Sequence, residues 1–138
     1  SCRFNCYIAI DKKVDGETKQ AALAALGACD FVKNVIVVDA DIDVFNEREV
    51  MWAVATRVQA DRDVDIIKDV KGNTLDPSQT DDIMTAKMII DATKPVRRPF
   101  PSRVEVPKEA LARIRLEDFI PPEVLERLSP PPELGGKS

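Results

Sequence analysis

Val35, Ile36, Val37 and Val38 are four consecutive β-branched residues that run into three alternating aspartates and then a helix, in the stretch VIVVDADIDVFNEREVMWAVATRV. An unbroken apolar run of this kind marks a strand covered on both faces, as parallel strands between two helix layers are. Such a strand belongs at the centre of a sheet. Asn46 followed by Glu49 has the spacing of a capping-box variant, and acids in the first turn complement the helix dipole. An apolar stripe through Met51, Val54, Ala55 and Val58 is expected to face the core. The order of strand, acidic loop and helix places Asp39, Asp41 and Asp43 at the carboxyl end of a strand, where open α/β sheets usually meet their ligands.

The remaining elements fit the same architecture. RFNCYIAI, residues 3–10, is rich in β-branched and aromatic residues and ends at the charged turn DKKVDG, which predicts a first strand. ETKQAALAALGAC favours a helix whose small side chains allow close packing on a sheet, with Gly27 near its stop. DVDII (63–67) and KMII (87–90) predict two further strands. Between them KGNTLDPSQTDD is longer than the usual connection, and such loops are more often functional or mobile. After Lys94 the composition changes: nine of the ten prolines lie there, punctuating the short helical patterns KEALARI and EVLERL. Pro107 and Pro122 sit where a first helical turn tolerates proline. The expected fold is α/β, a three-layer sandwich with a mostly parallel sheet flanked by helices, plus an extended Pro-rich helical tail. Residues 1–95 form the α/β domain; residues 96–138 serve docking or oligomerisation, with LSPPPELGGKS disordered.

Composition removes several classes of function. At 138 residues the chain buries one good core, and no run approaches the roughly 18 to 20 apolar residues of a membrane span. A net charge of −4, with Lys and Arg scattered among acids, lacks the basic footprint of nucleic-acid binding. Cys2, Cys6 and Cys29 have no CxxC spacing, and with no histidine in the chain a structural zinc site is not expected. Cys2 and Cys6, four apart in a strand, point to one face as small hydrophobes, and reduced thiols suit the cytoplasm. The chain starts at Ser1 and enters a strand almost at once, which suggests a piece of a longer polypeptide or a processed chain.

Asp39, Asp41 and Asp43 open like a calcium loop, but Val44 stands where glycine is needed and Val50 where a bidentate glutamate is needed. Those acids are expected to bond loop amides and anchor the helix after Asn46. Asp39, Asp41, Asp69 and Asp91 would meet at one sheet edge if their three strands were parallel. Without histidine, Ser-His-Asp and Cys-His sites are impossible, and neither GxGxxG nor GxxxxGK[ST] occurs. Trp52 reads as a packing anchor. Arg57 and Lys87 could bind an anion, although solvated surface positions are the commoner fate of lone cations.

The succession VKNVIVVDADIDVFNEREVMWAVATRVQADRDVDII, then GNTLDPS, then TAKMIIDATKP resembles the carboxyl-terminal domain of UbiD-type decarboxylases. The match covers nearly all of residues 3–95, and RIRLEDF in the tail is compatible with it. The resemblance implies reversible, non-oxidative decarboxylation of an aromatic or α,β-unsaturated carboxylic acid. It implies prenylated FMN with manganese (or magnesium) and potassium in the complete enzyme, held in a central split-barrel domain. The family's metal-ligand and proton-transfer motifs do not occur in this chain, so no catalytic, cofactor-binding or metal residue is carried over. The loop around GNTLDP looks like the part that approaches substrate, which makes Leu75, with Asn73 and Thr74, the pocket-lining candidates. The implied partners are the upstream UbiD domains, in the same polypeptide or a separate subunit, and further copies of the same protein. The isolated chain is expected to be inactive. Two other readings stand beside this one: a non-catalytic oligomerisation or regulatory module with the same fold, and an independent acidic-site enzyme using Asp39, Asp41 and Asp91.

Overall fold

The computed structural model describes residues 4–124 other than 81, 105, 112, 114, 116 and 117. Among them the chain runs β1 (Asn5–Ile10), α1 (Glu17–Ala28), β2 (Asn34–Asp39), α2 (Glu47–Arg57), β3 (Val64–Lys71), β4 (Met84–Ala92) and α3 (Lys108–Leu111). They divide into a unit ending at Phe100 and a second beginning at Pro101.

In the first unit the strands form one sheet in the order β1-β2-β4-β3. β2 pairs in parallel with β1 on one side and with β4 on the other. The apolar run is therefore central, and its alternating side chains feed two cores. Val35 and Val37 pack with Ala22 and Leu26 of α1 and with Ile89. Ile36 and Val38 pack on the opposite face with Val50 and Ala53 of α2, Ile42 and Ala92. Val35, Val37 and Val38 have no exposed surface, and each such burial is worth roughly 1.5–3 kcal/mol. The expected three-layer α/β sandwich with a mostly parallel sheet is what this chain forms.

Local chemistry sets the helix starts. Gly16 precedes α1 with φ 107°, a left-handed conformation that glycine adopts without a Cβ penalty. The Glu17 carboxylate accepts hydrogen bonds from the amides of Lys13 (2.7 Å) and Val14 (3.3 Å), closing the turn. Gly27 lies inside the last turn of α1. At α2 the Asn46 side chain accepts from the Arg48 amide at 3.2 Å, as a cap should. Glu49 departs from the expected box: its carboxylate accepts from the Asp43 amide (3.2 Å), because the Asn46 amide already donates to the Asp43 carbonyl (3.0 Å).

Two further expectations need correction. Val54 and Val58 pack half-buried against the core as expected, but the fully buried residues of α2 are Val50, Ala53 and Arg57, and Met51 is 53% exposed. The stripe turns by one position as Arg57, an i+7 neighbour of Val50, turns inward to pair with Asp39 and Asp41. β3 runs antiparallel to β4. No helix separates the two strands, and a parallel pair needs a crossover connection, so residues 72–83 close a hairpin instead. A register shift between Ile67 and Val70 bulges β3, and Asp69 sits there at φ 57°.

In the second unit α3 starts directly after Pro107, whose carbonyl accepts from the Ala110 amide at 2.8 Å. The EVLERL pattern beyond Val124, the expected disorder of LSPPPELGGKS and the placement of Cys2 lie outside the described residues. Cys6 and Cys29 are free thiols. Burial, followed by the nearness of Cys29, pushes the Cys6 thiol up, which suits an inert packing role. Among the described residues no helix is long and apolar enough to cross a membrane.

Candidate functional site

β1, β2 and β4 point the same way, so the first unit has two distinct sheet edges. The acidic loop lies at their carboxyl ends; the hairpin loop 72–83 lies at the opposite edge, beside the start of β2. Antiparallel β3 carries Asp69 to that opposite edge, so Asp69 does not join Asp39, Asp41 and Asp91 as a parallel strand would have required.

At the carboxyl edge Asp39 and Asp41 are neutralised from within the chain. Arg57, only 7% exposed, donates through Nη1 to Asp39 Oδ2 (2.5 Å) and reaches both Asp41 oxygens at 3.3 Å. The Lys94 amide donates to Asp39 (2.8 Å), and the Lys94 ammonium to Asp41 (2.7 Å). Partial burial pulls the Asp41 carboxyl up, but hydrogen bonds from Lys94 and Arg57 prevail and hold it below its ordinary value. Asp91 accepts from the hydroxyls of Thr18 and Thr93 (both 2.5 Å) and from the Thr93 amide (3.0 Å). Of the three alternating aspartates, Asp43 and Asp39 bond loop amides as expected, Asp43 accepting from Phe45 at 2.9 Å and Asp39 from Lys94. Asp39 and Asp41 are ion-pair partners as well.

Both cations expected at the solvated surface are buried. Arg57 lies in the core with its guanidinium 5.3 Å from the centroid of the half-buried Trp52 ring. Lys87, 3% exposed, directs its ammonium to the Leu26 carbonyl at 3.4 Å. Neither is placed to bind a solvent-borne anion. Residues 50, 53 and 57 share one helical face, but that spacing does not say that a charge is buried there. Among the described residues no group of three or more His, Cys, Asp or Glu side chains is arranged to hold a metal ion. With Asp39 and Asp41 committed to Arg57 and Lys94, and Arg57 to both acids, this cluster fits neither a metal nor a flavin phosphate.

The hairpin edge is built differently, with a buried anchor beneath an exposed tip. Asn73 accepts from the Asp76 amide through its carbonyl (2.8 Å) and from the Leu75 amide through Oδ1 (3.0 Å), an Asx turn. Thr74 is exposed, and Leu75 presents 67% of its surface outward. Behind them Asp76 is only 5% exposed. Its carboxylate accepts from the Lys33 ammonium (2.7 Å), the Ser78 amide (3.0 Å) and hydroxyl (2.8 Å), and the Thr85 hydroxyl (3.4 Å). Sequence reasoning passed over Asp76 and Lys33, although an Asp-Pro pair in a long loop is a turn signal. The hairpin neck is close-packed: a Cβ on Gly72 would lie 3.2 Å from Thr85 Cγ2. Alongside, Lys33, Ile66, Lys68, Ser78, Met84 and Thr85 help to line an open depression of about 480 Å³, which Asn73, Thr74 and Leu75 do not line.

The charge pattern predicts how stability follows pH. Hydrogen bonds from Lys33 and then from Ser78 hold the Asp76 carboxyl far below its ordinary value. Asp15 is lowered by Lys12 and by the Val96 amide. A carboxyl depressed in the folded state stabilises the fold fully above its unfolded pKa of about 4, and that contribution is lost as pH falls through the folded value. The chain has no histidine, the side chain that ordinarily titrates between pH 5 and 8. The melting temperature is expected to stay level between about pH 8 and pH 5 and to fall below about pH 4, less steeply in Asp76→Asn. A fall already complete between pH 7 and pH 5 would contradict this assignment.

Comparison with known proteins places the chain. The family model for the 3-octaprenyl-4-hydroxybenzoate carboxy-lyase C-terminal domain (UbiD) matches residues 1–92. The anhydromevalonate phosphate decarboxylase of Aeropyrum pernix is 51% identical over 93 residues, 67% of this chain and 21% of that protein. The chain thus spans about a fifth of the length of the curated relatives it matches. The UbiD-class enzyme HmfF from Pelotomaculum thermopropionicum, solved in complex with FMN, superposes with a TM-score of 0.73 at 47% identity, over 86% of this chain and 26% of that one. The vanillic acid decarboxylase of Sedimentibacter hydroxybenzoicus in its open form gives 0.66 at 34% identity, over 90% and 27%.

Proposed function

Because the chain belongs to the UbiD carboxy-lyase family through its carboxyl-terminal domain, we propose that it is the substrate-side and assembly domain, or a separate small subunit, of a decarboxylase. The reaction is reversible, non-oxidative decarboxylation of an aromatic or α,β-unsaturated carboxylic acid. The observation that carries this reading is the anchored Asn73–Asp76 turn, which holds Leu75 outward from a rigid base. An exposed leucine on an immobilised turn supplies shape and excludes water; it offers no proton and no ligand. Leu75 is the principal contact, with Asn73 and Thr74 beside it.

Prenylated FMN, with manganese (or magnesium) and potassium, supplies the decarboxylation chemistry when bound in the upstream domains, and no residue of this chain is assigned to hold it. The partners are those upstream domains and further copies of the enzyme, in the cytoplasm. Residues 96–138 serve docking or oligomerisation. In the complete enzyme, Leu75→Ala is expected to shift kcat/KM toward bulkier acids by about tenfold, the order expected when a pocket loses a few methylenes. Unchanged relative kcat/KM values would refute the assignment. The chain alone, supplied with prenylated FMN and manganese, is expected to give no turnover of a cinnamate- or benzoate-type acid.

A second reading, a non-catalytic assembly module, draws on Phe45, which projects from the β2–α2 loop with 94% of its surface exposed. Native mass spectrometry with and without residues 96–138 tests the tail's part in assembly: an oligomeric state unchanged by the deletion counts against a tail-driven role in either reading.

A further inference from the structure

The Asx turn at Asn73 fixes the backbone around Leu75, but it does not fix where that turn sits relative to the sheet. Lys33 ties it there, together with the Thr85 hydroxyl of β4, which donates to Asp76 at 3.4 Å. The Lys33 amide donates to the Phe4 carbonyl at 2.9 Å, and its carbonyl accepts from the Met88 amide at 2.9 Å, so its backbone is bonded into the start of the sheet on both sides. Its ammonium crosses to the hairpin loop, meeting Asp76 Oδ2 at 2.7 Å and Ser78 Oγ at 2.5 Å. The two side chains are well shielded, at 25% exposure for Lys33 and 6% for Asp76. A shielded, charge-assisted pair with several further hydrogen bonds holds geometry more firmly than a surface ion pair. A further tie runs from Asn73 Nδ2 to Asp30 Oδ1 at 3.4 Å.

We propose that Lys33 and Asp76 are a positioning pair that sets where Leu75 stands over the substrate, and so tune substrate preference without touching it. The inference rests on the reading of Leu75 as a pocket residue. The pair acts only through that leucine: sheet to Lys33, Lys33 to Asp76, Asp76 to its neighbour Leu75. Losing the ammonium leaves the turn closed by its local bonds but free to shift on the hairpin. Small misplacements of a positioning group have large kinetic effects.

The test is a double-mutant cycle in the complete enzyme, reading relative kcat/KM for two acids that differ in bulk. Lys33→Met is expected to shift the preference about tenfold in the same direction as Leu75→Ala, and to add nothing in the Leu75→Ala background. Lys33→Arg should recover most of the original preference. Amide exchange supplies an independent arm: in Lys33→Met, residues 73–78 should exchange faster while β2 and β4 keep their protection. Asp76→Asn serves as the second variant should Lys33→Met fold poorly. A Lys33→Met shift of equal size with and without Leu75, or unchanged exchange in residues 73–78, overturns the positioning role while leaving Leu75 in place. A Leu75→Ala enzyme with unchanged preference removes both the underlying reading and this one.

Discussion

Arg57→Met is expected to lower the unfolding free energy by about 3–5 kcal/mol, the usual loss when one partner of a buried ion pair is removed. The geometry supports the upper part of the single-substitution range. The Arg57 side chain is 3% exposed and the Asp39 side chain 17%, so water cannot readily replace the lost guanidinium. Asp41 is half exposed and recovers solvation, and the Lys94 amide still serves Asp39, which limits the damage. Trp52 loses the cation beside its ring. The cost is one of stranding a charge, so removing the charge as well should restore stability. Arg57→Met combined with Asp39→Asn is expected to be more stable than Arg57→Met alone. Urea unfolding at neutral pH measures both; a loss below about 1 kcal/mol for the single variant would place Arg57 among ordinary surface ion pairs.

Ile89→Ala should cost about 2–5 kcal/mol, from lost transfer energy together with the cavity left behind. Ile89 is 1% exposed and packs with Ala22, Leu26, Val35 and Val37 beneath α1. Its strand lies between β2 and β3, so the backbone is held on both sides and cannot collapse into the space. Ile89→Val should lose only about 0.5–1.5 kcal/mol. Ile66→Ala is the internal control: Ile66 is 62% exposed on the edge strand, and a change within about 0.5 kcal/mol is expected there. Equal losses at Ile66 and Ile89 in urea melts would mean that the sheet is covered differently.

The two regions differ in how much of them could be read from residues alone. Val35 to Val38, the Asn46 cap and the change of composition after Lys94 are local signals, and the helices and central strand follow them closely. The hairpin was legible too, because nothing helical separates DVDII from KMII, yet a repeating parallel pattern was the stronger expectation. The long loop drew attention to Leu75 through its turn chemistry and family resemblance. Its anchor was not legible in the same way: Lys33 and Asp76 meet across 43 positions, and no spacing rule links them.

From its residues alone this chain is determined to be α/β, with a buried central strand, two flanking helices and a UbiD-type motif order, since periodicity and caps act within a few residues of one another. Folding in three dimensions settled the rest. It drew Arg57 and Lys87 inward and committed Asp39 and Asp41 to ion pairs. The reason is physical: a charged side chain is buried or solvated according to which distant partner the fold delivers to it. Spacing along the chain records the face a residue occupies, but not the charge that waits there.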